Sequence, residues 1–475
     1  MSLIDHQVRS EAASTLGSLS SAHASKLIIL LTFLLAGVAI AIHAPGQISM
    51  DTSIQLFEAH NGQSVSWSPP FMSALLNWLG GGEISTALLV LLNTILLYGA
   101  FAIIALTMLQ IRAARGLAHI ATWRVVAGLL LIMNPIIFIY VGIVWKDVLF
   151  ASLLTAGCAC AIAATIGSPL RRYGCIGLSL VLLGAGFQAR QQGVFMAPIL
   201  VLAIIFAVYS FKPTKKLITA SIIIALFVGV VTGIQNKVNS TVKGADDRAS
   251  SVGFRNIMQF DLAGIISDTS RPYGELVYPV TDEQFAAIKS AYDPSRIDFL
   301  DLNPVVHNWL ASIPSDELKH QWWEMVKQNF GAYLQHRATT FATLIGLRGL
   351  NGTLPVFIGV DGNPDYLAAV GITLGTGKRA QKVYDIAVSF FNWPIYRHFF
   401  WMGSLVVIAA VGARSVLPLS IKLIGATIAL ATLLLYVSFL PTTIASDFRY
   451  LFGGIPLVMT LGFILLFGAA RSKAT

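Results

Sequence analysis

Residues 85–109 read STALLVLLNTILLYGAFAIIALTML, twenty-five positions without one charged side chain. In a bilayer, about 20 apolar residues cross the hydrocarbon core as a helix, which satisfies its own backbone hydrogen bonds. Nine further runs share this character: 26–43, 123–142, 148–166, 174–189, 193–210, 217–234, 398–412, 418–438 and 451–469. The expected fold is an all-α polytopic membrane protein with about ten transmembrane helices. Composition agrees. Of 475 residues, 55% are hydrophobic and 12% charged, against roughly 25% charged in a soluble domain. That excludes a soluble enzyme, a disordered chain and a fibrous one. The first run is long and lacks a following small-residue cleavage site, so it reads as a span and not as a removed signal peptide. No internal repeat is evident.

The formal net charge is +9, and its placement explains it. One set of short loops and tails holds Arg9, Lys26, Arg112, Arg115, Arg124, Arg171, Arg172, Lys212, Lys215, Lys216, Arg414, Lys422, Arg471 and Lys473. The opposite short loops hold only Lys146, Arg190 and Arg449, and residues 44–83 contain no Lys or Arg. The positive-inside rule then puts both termini in the cytoplasm, as ten crossings require. The basic excess reports topology, and no nucleic-acid partner is expected. The division is a cytoplasmic tail 1–25, spans one to seven over 26–234 with the first outer loop 44–83, an outer domain 235–397, and the last three spans with a short tail over 398–475. The outer domain holds 15 basic and 16 acidic residues and is expected to be mostly helical, with helices around 281–291 and 315–345. In the latter, Trp322, Met325, Val326, Phe330, Tyr333 and Leu334 fall on one helical stripe, as either a core face or a surface lying on the bilayer. Cys158, Cys160 and Cys175 lie in or beside apolar runs, so the outer domain carries no disulfide framework.

Lys146 (VGIVWKDVLF), Arg190 (GFQARQQG) and Arg449 (TTIASDFRYLF) break the charge rule at one membrane face. A cation there is costly and usually paired; Asp147 and Asp447 are the nearest partners in sequence. Each alone reads as an interfacial anchor. Together they suit an anion such as a lipid phosphate. The first outer loop, APGQISMDTSIQLFEAHNGQSVSWSPPFMSALLNWLGGG, puts Asp51, Gln55 and Glu58 at i, i+4 and i+7, on one face of a helix over 51–60. Asp51 could act as a general base toward a hydroxyl, or serve only as a helix N-cap. A second short helix is expected over 70–79, with Leu75, Leu76, Trp78 and Leu79 toward the interface. Asp246, Asp247 and Arg248 open the outer domain as a charged loop. Arg255 and Asp261 are further candidates for substrate contact, with a cap or loop role as the default, and Trp322–Trp323 for sugar stacking, with burial as the default. His307, His320, His336 and His398 lack metal-ligand spacing. No Walker, G-x-S-x-G or dinucleotide motif is present. Asn239–Ser240–Thr241 and Asn351–Gly352–Thr353 match a glycosylation acceptor pattern, which is read as coincidence.

An aspartate just past the first span, two short membrane-surface helices, a Pro-Pro turn at Pro69–Pro70, and then WKDVLF, Arg190-x-x-Gly193 and SDFRYLF: in this order the chain resembles the GT-C superfamily of integral-membrane glycosyltransferases, in a poorly characterised bacterial branch. The resemblance covers 26–234 and 398–470 and hardly reaches 235–397. It implies an inner-membrane enzyme that moves a hexose or pentose from a polyprenyl-phosphate donor, at the periplasmic face, onto a surface glycan, a lipopolysaccharide or a protein. It implies Asp51 as the catalytic carboxylate and Lys146, Arg190 and Arg449 as donor-phosphate ligands, with Glu58, Asp147, Arg255 and Asp447 as candidate substrate contacts. Thr52 follows Asp51 and Ser68 precedes Pro69, where many members have a second acid and a histidine. No cofactor is therefore assigned; a divalent cation is an option poorly served by one carboxylate. The alternatives are a polysaccharide polymerase or ligase using a lipid-linked glycan, and a non-enzymatic lipid or solute transporter.

Overall fold

The computed structural model describes residues 17–211, 214–243, 248–268 and 280–469, with side chains from Val252 onward in the third segment. Arg9, Lys212, Asp246, Asp247, Arg471 and Lys473, and the Arg248 side chain, lie outside the described residues.

The chain is an all-α polytopic membrane protein. Among the described residues, eight helices are long and apolar enough to cross a bilayer, from Ser21–His43 to the turn and helix of Phe448–Gly468, and two shorter apolar helices, Gly193–Tyr209 and His398–Arg414, accompany them. One small β element departs from the all-helical expectation: Ser18–Ser20 pairs antiparallel with His119–Ala121.

Burial orders the bundle. Every residue of Lys146–Ala163 except Lys146 itself is buried, whereas only Ile223, Phe227 and Val238 are buried in Lys216–Thr241. The reason is side-chain size. Lys146–Ala163 is dense in Ala, Gly, Ser and Cys, which let neighbouring backbones approach where lipid supplies no hydrophobic drive. At Gly157 a Cβ would lie 2.7 Å from Leu183 Cδ2, so a larger residue there would have to displace the Leu183 side chain of the neighbouring helix. The three cysteines are free.

Basic side chains of the loops read as cytoplasmic gather at one end and donate to backbone carbonyls there, among them Ala469 and Ala413 at helix C-termini. Arg112 donates to His119 O and Ala469 O, Arg124 to Ala469 O, Arg115 to Val416 O, and Lys422 to Ala413 O. A cation beside the negative end of a helix dipole is favourable.

The outer segment differs from the sequence expectation in two respects. The boundary at 235 falls inside a helix that runs to Thr241. The segment also divides: residues between Met258 and Val326 form a separate apolar core, whereas Leu344, Val356, Leu367 and Tyr396 join the core of the membrane helices. The expected helix over 315–345 breaks at Asn329 into Ser315–Gln328 and Phe330–Leu344. The stripe breaks with it: Met325 and Val326 are buried, while Phe330 and Leu334 are exposed. Asn329 adopts a non-helical conformation there, which rotates the second helix out of phase.

Candidate functional site

The loop after the first span folds into two short helices, Met50–Asn61 and Phe71–Trp78. Ser49, not Asp51, is the N-cap residue of the first, and Asp51 sits in its first turn, where the dipole favours an acid. Three strands of extended chain hold this turn. Gln47 N donates to Gly142 O and Val144 N to Gln47 O; Ile48 N donates to Gly359 O and Asp361 N to Ile48 O. Thr52 Oγ1 donates to Val144 O at 2.5 Å, and Trp145 Nε1 to Ser49 Oγ at 2.9 Å. This stitching sets Asp51 beside Lys146, 95 positions further along the sequence.

The result is a cavity of about 1080 Å³ lined by Asp51, Lys146, Arg190, Arg296, Asp447 and Arg449, among others. Arg449 is its hub. Arg449 Nη1 lies 2.7 Å from Asp51 Oδ2, and its Nε and Nη2 lie 3.2 Å from Asp447 Oδ2. The guanidinium also lies 4.8 Å from the centre of the Trp145 ring. Arg296, from the outer domain, pairs with Asp447; its backbone neighbours are joined to the last-span loop by Ile297 N to Ile444 O and Ser446 N to Ser295 O. Arg190 forms an ion pair with Asp147, with side-chain exposures of 6% and 1%, and its Nη1 donates to Tyr450 O at 3.1 Å. Neither Asp147 oxygen has an aligned hydrogen bond, so this contact holds by charge more than by geometry.

Lys146 stands apart. Among the described residues it has no carboxylate within ion-pair distance; its Nζ donates to Ser68 Oγ at 2.5 Å and lies 5.8 Å from the centre of the Trp67 ring. It is also the first residue of its helix, where the dipole already disfavours a cation. A cation at the N-terminus of a helix raises the local positive potential, and such a spot suits an anion.

Asp51 keeps 41% of its side-chain accessibility and lines the cavity. Burial pushes its carboxyl pKa up, but Arg449, Lys146 and Arg190 outweigh that and hold it below the ordinary value. The group is therefore ionised and a weak base in this arrangement.

Four sequence candidates take other places. Glu58 is buried and committed: Val65 N and Ser66 N donate to its Oε1 at 2.8 Å, Ser64 Oγ at 3.2 Å, and Ser73 Oγ to its Oε2 at 2.6 Å. Its i+7 spacing from Asp51 does put both on one helix, but Glu58 ties down the loop 62–70 and does not contact the large cavity. Arg255 donates to Leu310 O, Ile313 O and Ser315 Oγ, bracing two outer-domain helices. Asp261 is fully buried and binds Arg337 Nε at 2.7 Å, Trp322 Nε1 at 2.8 Å and His336 at 3.3 Å. It anchors the outer core, and Trp322 with it. Burial lowers the His336 pKa despite Asp261. Arg296 was absent from the sequence candidates. It lies in a charge-balanced domain where one arginine carries no signal, and only its pairing with Asp447 reveals it. No cluster of three or more metal-ligating side chains occurs among the described residues.

No protein-family model and no curated protein matches the chain. Solved structures do show a loose likeness over nearly its whole length. ArnT from Cupriavidus metallidurans in the apo state is 13% identical, with a TM-score of 0.33, over 94% of this chain and 78% of that one. The same protein bound to undecaprenyl phosphate is 13% identical, with a TM-score of 0.32, over 93% and 77%. The archaeal oligosaccharyltransferase AglB from Archaeoglobus fulgidus, in complex with an inhibitory peptide and a dolichol-phosphate, is 12% identical, with a TM-score of 0.37. That match covers 92% of this chain, which spans half the length of AglB. The reading of the site rests on its own geometry.

Proposed function

We propose that this protein is an inner-membrane glycosyltransferase of the GT-C kind, with cytoplasmic termini. It moves a sugar from a polyprenyl-phosphate donor to a cell-envelope acceptor at the periplasmic face. One observation carries the reading: Asp51, Asp447 and four cations from separate segments meet in one cavity, at helix ends and not at mid-helix. A transporter would be expected to keep its ionisable groups near the bilayer midplane.

In this mechanism the donor phosphate binds Lys146 first, because that cation is unspent, and shares the Nη1 face of Arg449. Arg190 contributes field but stays with Asp147, since a buried pair is costly to open. An acceptor hydroxyl attacks the anomeric carbon as its proton passes to Asp51. The carbon–oxygen bond to phosphate breaks, and the electron pair leaves with the phosphate, stabilised by fixed cations. Direct displacement inverts the anomeric centre.

The test is to express wild type and Asp51→Asn at equal levels in a strain lacking the protein and to compare cell-surface glycans by mass spectrometry. The expected result is one sugar present with the wild type and missing with the variant. The same sugar at the same abundance in both removes Asp51 from its role.

A further inference from the structure

A second cavity, of about 360 Å³, also touches Asp51. Besides Asp51, the consecutive residues Ser66, Trp67 and Ser68 line both cavities and stand as the partition between them. The chemistry on the two sides differs. The large cavity collects the cations. The small one is walled by Trp67 and Tyr366, offers the hydroxyl-bearing residues Ser66 and Ser68, and has Asp51 as its single charge beside three aliphatic side chains.

The partition is held in place. Glu58 fixes the backbone of Val65 and Ser66, and Lys146 holds Ser68 from the far side. The Trp67 ring lies over Gly253, where a Cβ would sit 3.2 Å from it; the absence of a side chain there lets the ring settle against the helix, while 43% of Trp67 stays exposed. Phe57 stacks on one face of Tyr366, with ring centres 4.0 Å apart and planes 14° apart. Both aromatic rings are thus oriented before any ligand arrives.

We infer that the small cavity is the acceptor subsite and that it takes a neutral pyranose ring. This rests on the glycosyl-transfer reading and deepens it. The face of a pyranose presents C–H groups of partial positive charge, which complement the negative face of an aromatic ring. Hydroxyls at the rim find short polar partners in the two serines. The volume is at the lower end of the ~300–1,000 Å³ usual for small-ligand pockets, so it accommodates about one sugar ring. The carboxylate of Asp51 repels an anionic acceptor. The lining comes from segments that lie between the apolar spans in sequence, which makes it a poor seat for an isoprenoid tail. Asp51 stands at the junction, where it can take the proton of a hydroxyl entering from the small side while the anomeric carbon approaches from the large side.

The test uses the full chain in nanodiscs with polyprenyl phosphate present. Saturation-transfer NMR is recorded for a panel of neutral methyl pyranosides and for glucuronate. At least one neutral glycoside should show transfer to its ring protons, and glucuronate should show none. Trp67→Ala and Tyr366→Ala should each reduce the signal roughly fivefold, the scale of a lost stacking contact, and Trp67→Phe should restore most of it. No signal from any neutral glycoside, equal signal from glucuronate, or an unchanged signal in both alanine variants overturns the inference. Binding of polyprenyl phosphate, counted by native mass spectrometry in the same nanodiscs, reports separately. Lipid-phosphate binding without sugar contact sinks this inference alone; absence of lipid-phosphate binding sinks the glycosyl-transfer reading as well.

Discussion

Replacing Lys146 by methionine keeps the apolar stem and removes the charge. The three arginines of the cavity are each paired with an aspartate: Arg190 with Asp147, Arg296 with Asp447, and Arg449 with Asp51 and Asp447. Lys146 holds only the Ser68 hydroxyl and faces the Trp67 ring. Its loss should therefore barely disturb the fold. One hydrogen bond disappears, and so does the cost of a half-buried cation without a counter-ion, for a net change within about 1 kcal/mol. Anion binding should suffer far more. A charge-assisted contact to phosphate contributes about 1.5–3 kcal/mol, which raises the dissociation constant of a polyprenyl phosphate by roughly 10–150-fold. The assay is titration of polyprenyl phosphate into nanodisc-embedded protein by native mass spectrometry, with thermal unfolding of the same samples as control. Wild-type affinity in a folded Lys146→Met protein would refute the assignment of Lys146 as the open cation. A large drop in melting temperature would show that Lys146 is structural instead.

Arg190→Met should behave in the opposite way: it strands Asp147 in a site where both side chains are nearly inaccessible, costs about 3–5 kcal/mol of stability, and should be largely rescued in the Arg190→Met/Asp147→Leu double variant, as read by melting temperature. Glu58→Gln turns an acceptor of four donors into one that opposes some of them with its own N–H, at about 1–3 kcal/mol; hydrogen exchange at Val65 and Ser66 should rise while the rest of the bundle is unchanged. The Asp51 carboxyl is held below its ordinary value of 3.8, so its pair with Arg449 adds stability that is fully present above that pH and lost as pH falls through the lower folded value. Acid-unfolding curves of wild type and Asp51→Asn should therefore differ by a constant amount at neutral pH and converge in strong acid; a gap that persists at low pH would contradict this.

The spans were legible because their signal is local: a run of apolar residues is a span whatever else the chain does. The convergence of Lys146, Arg190 and Arg449 on one end was legible for a related reason, since each violates the charge rule at the same face. Pairing was not. Sequence proximity suggested Lys146–Asp147, yet successive residues at the start of a helix point about 100° apart, and Asp147 turns inward to Arg190. Glu58 shows the reverse limit. Helical spacing put it on the Asp51 helix and could say nothing of the loop that folds back over its carboxylate. Arg296 and the outer domain were opaque because tertiary contacts alone bring residues 295–297 against 444–446. Asn329 broke a periodic stretch that any window of hydrophobicity would join.

Two opposing forces act on Asp51, and their balance gives the site a sequence of events. Burial alone would raise the carboxyl pKa; Arg449, Lys146 and Arg190 reverse that. On the glycosyl-transfer reading, the donor brings a phosphate to two of those same cations. Arg296 holds Asp447, and Asp447 holds the Nε and Nη2 side of Arg449, so the guanidinium stays in place and only its Nη1 is shared between Asp51 and the newcomer. Positive charge committed to phosphate no longer favours the ionised carboxyl. On that reading the opposing pull of burial gains weight, and Asp51 should become a stronger proton acceptor once the donor has arrived. With Lys146 unpaired, the phosphate has a first foothold that requires no ion pair to break. With Arg449 shared, its arrival is felt at the base. A site in which Asp51 had no cation partner would carry a stronger base all the time, open to water through the same cavity; a site in which Lys146 also had an aspartate would make the donor pay for entry. The one unpaired lysine and the one shared arginine are what separate this arrangement from both.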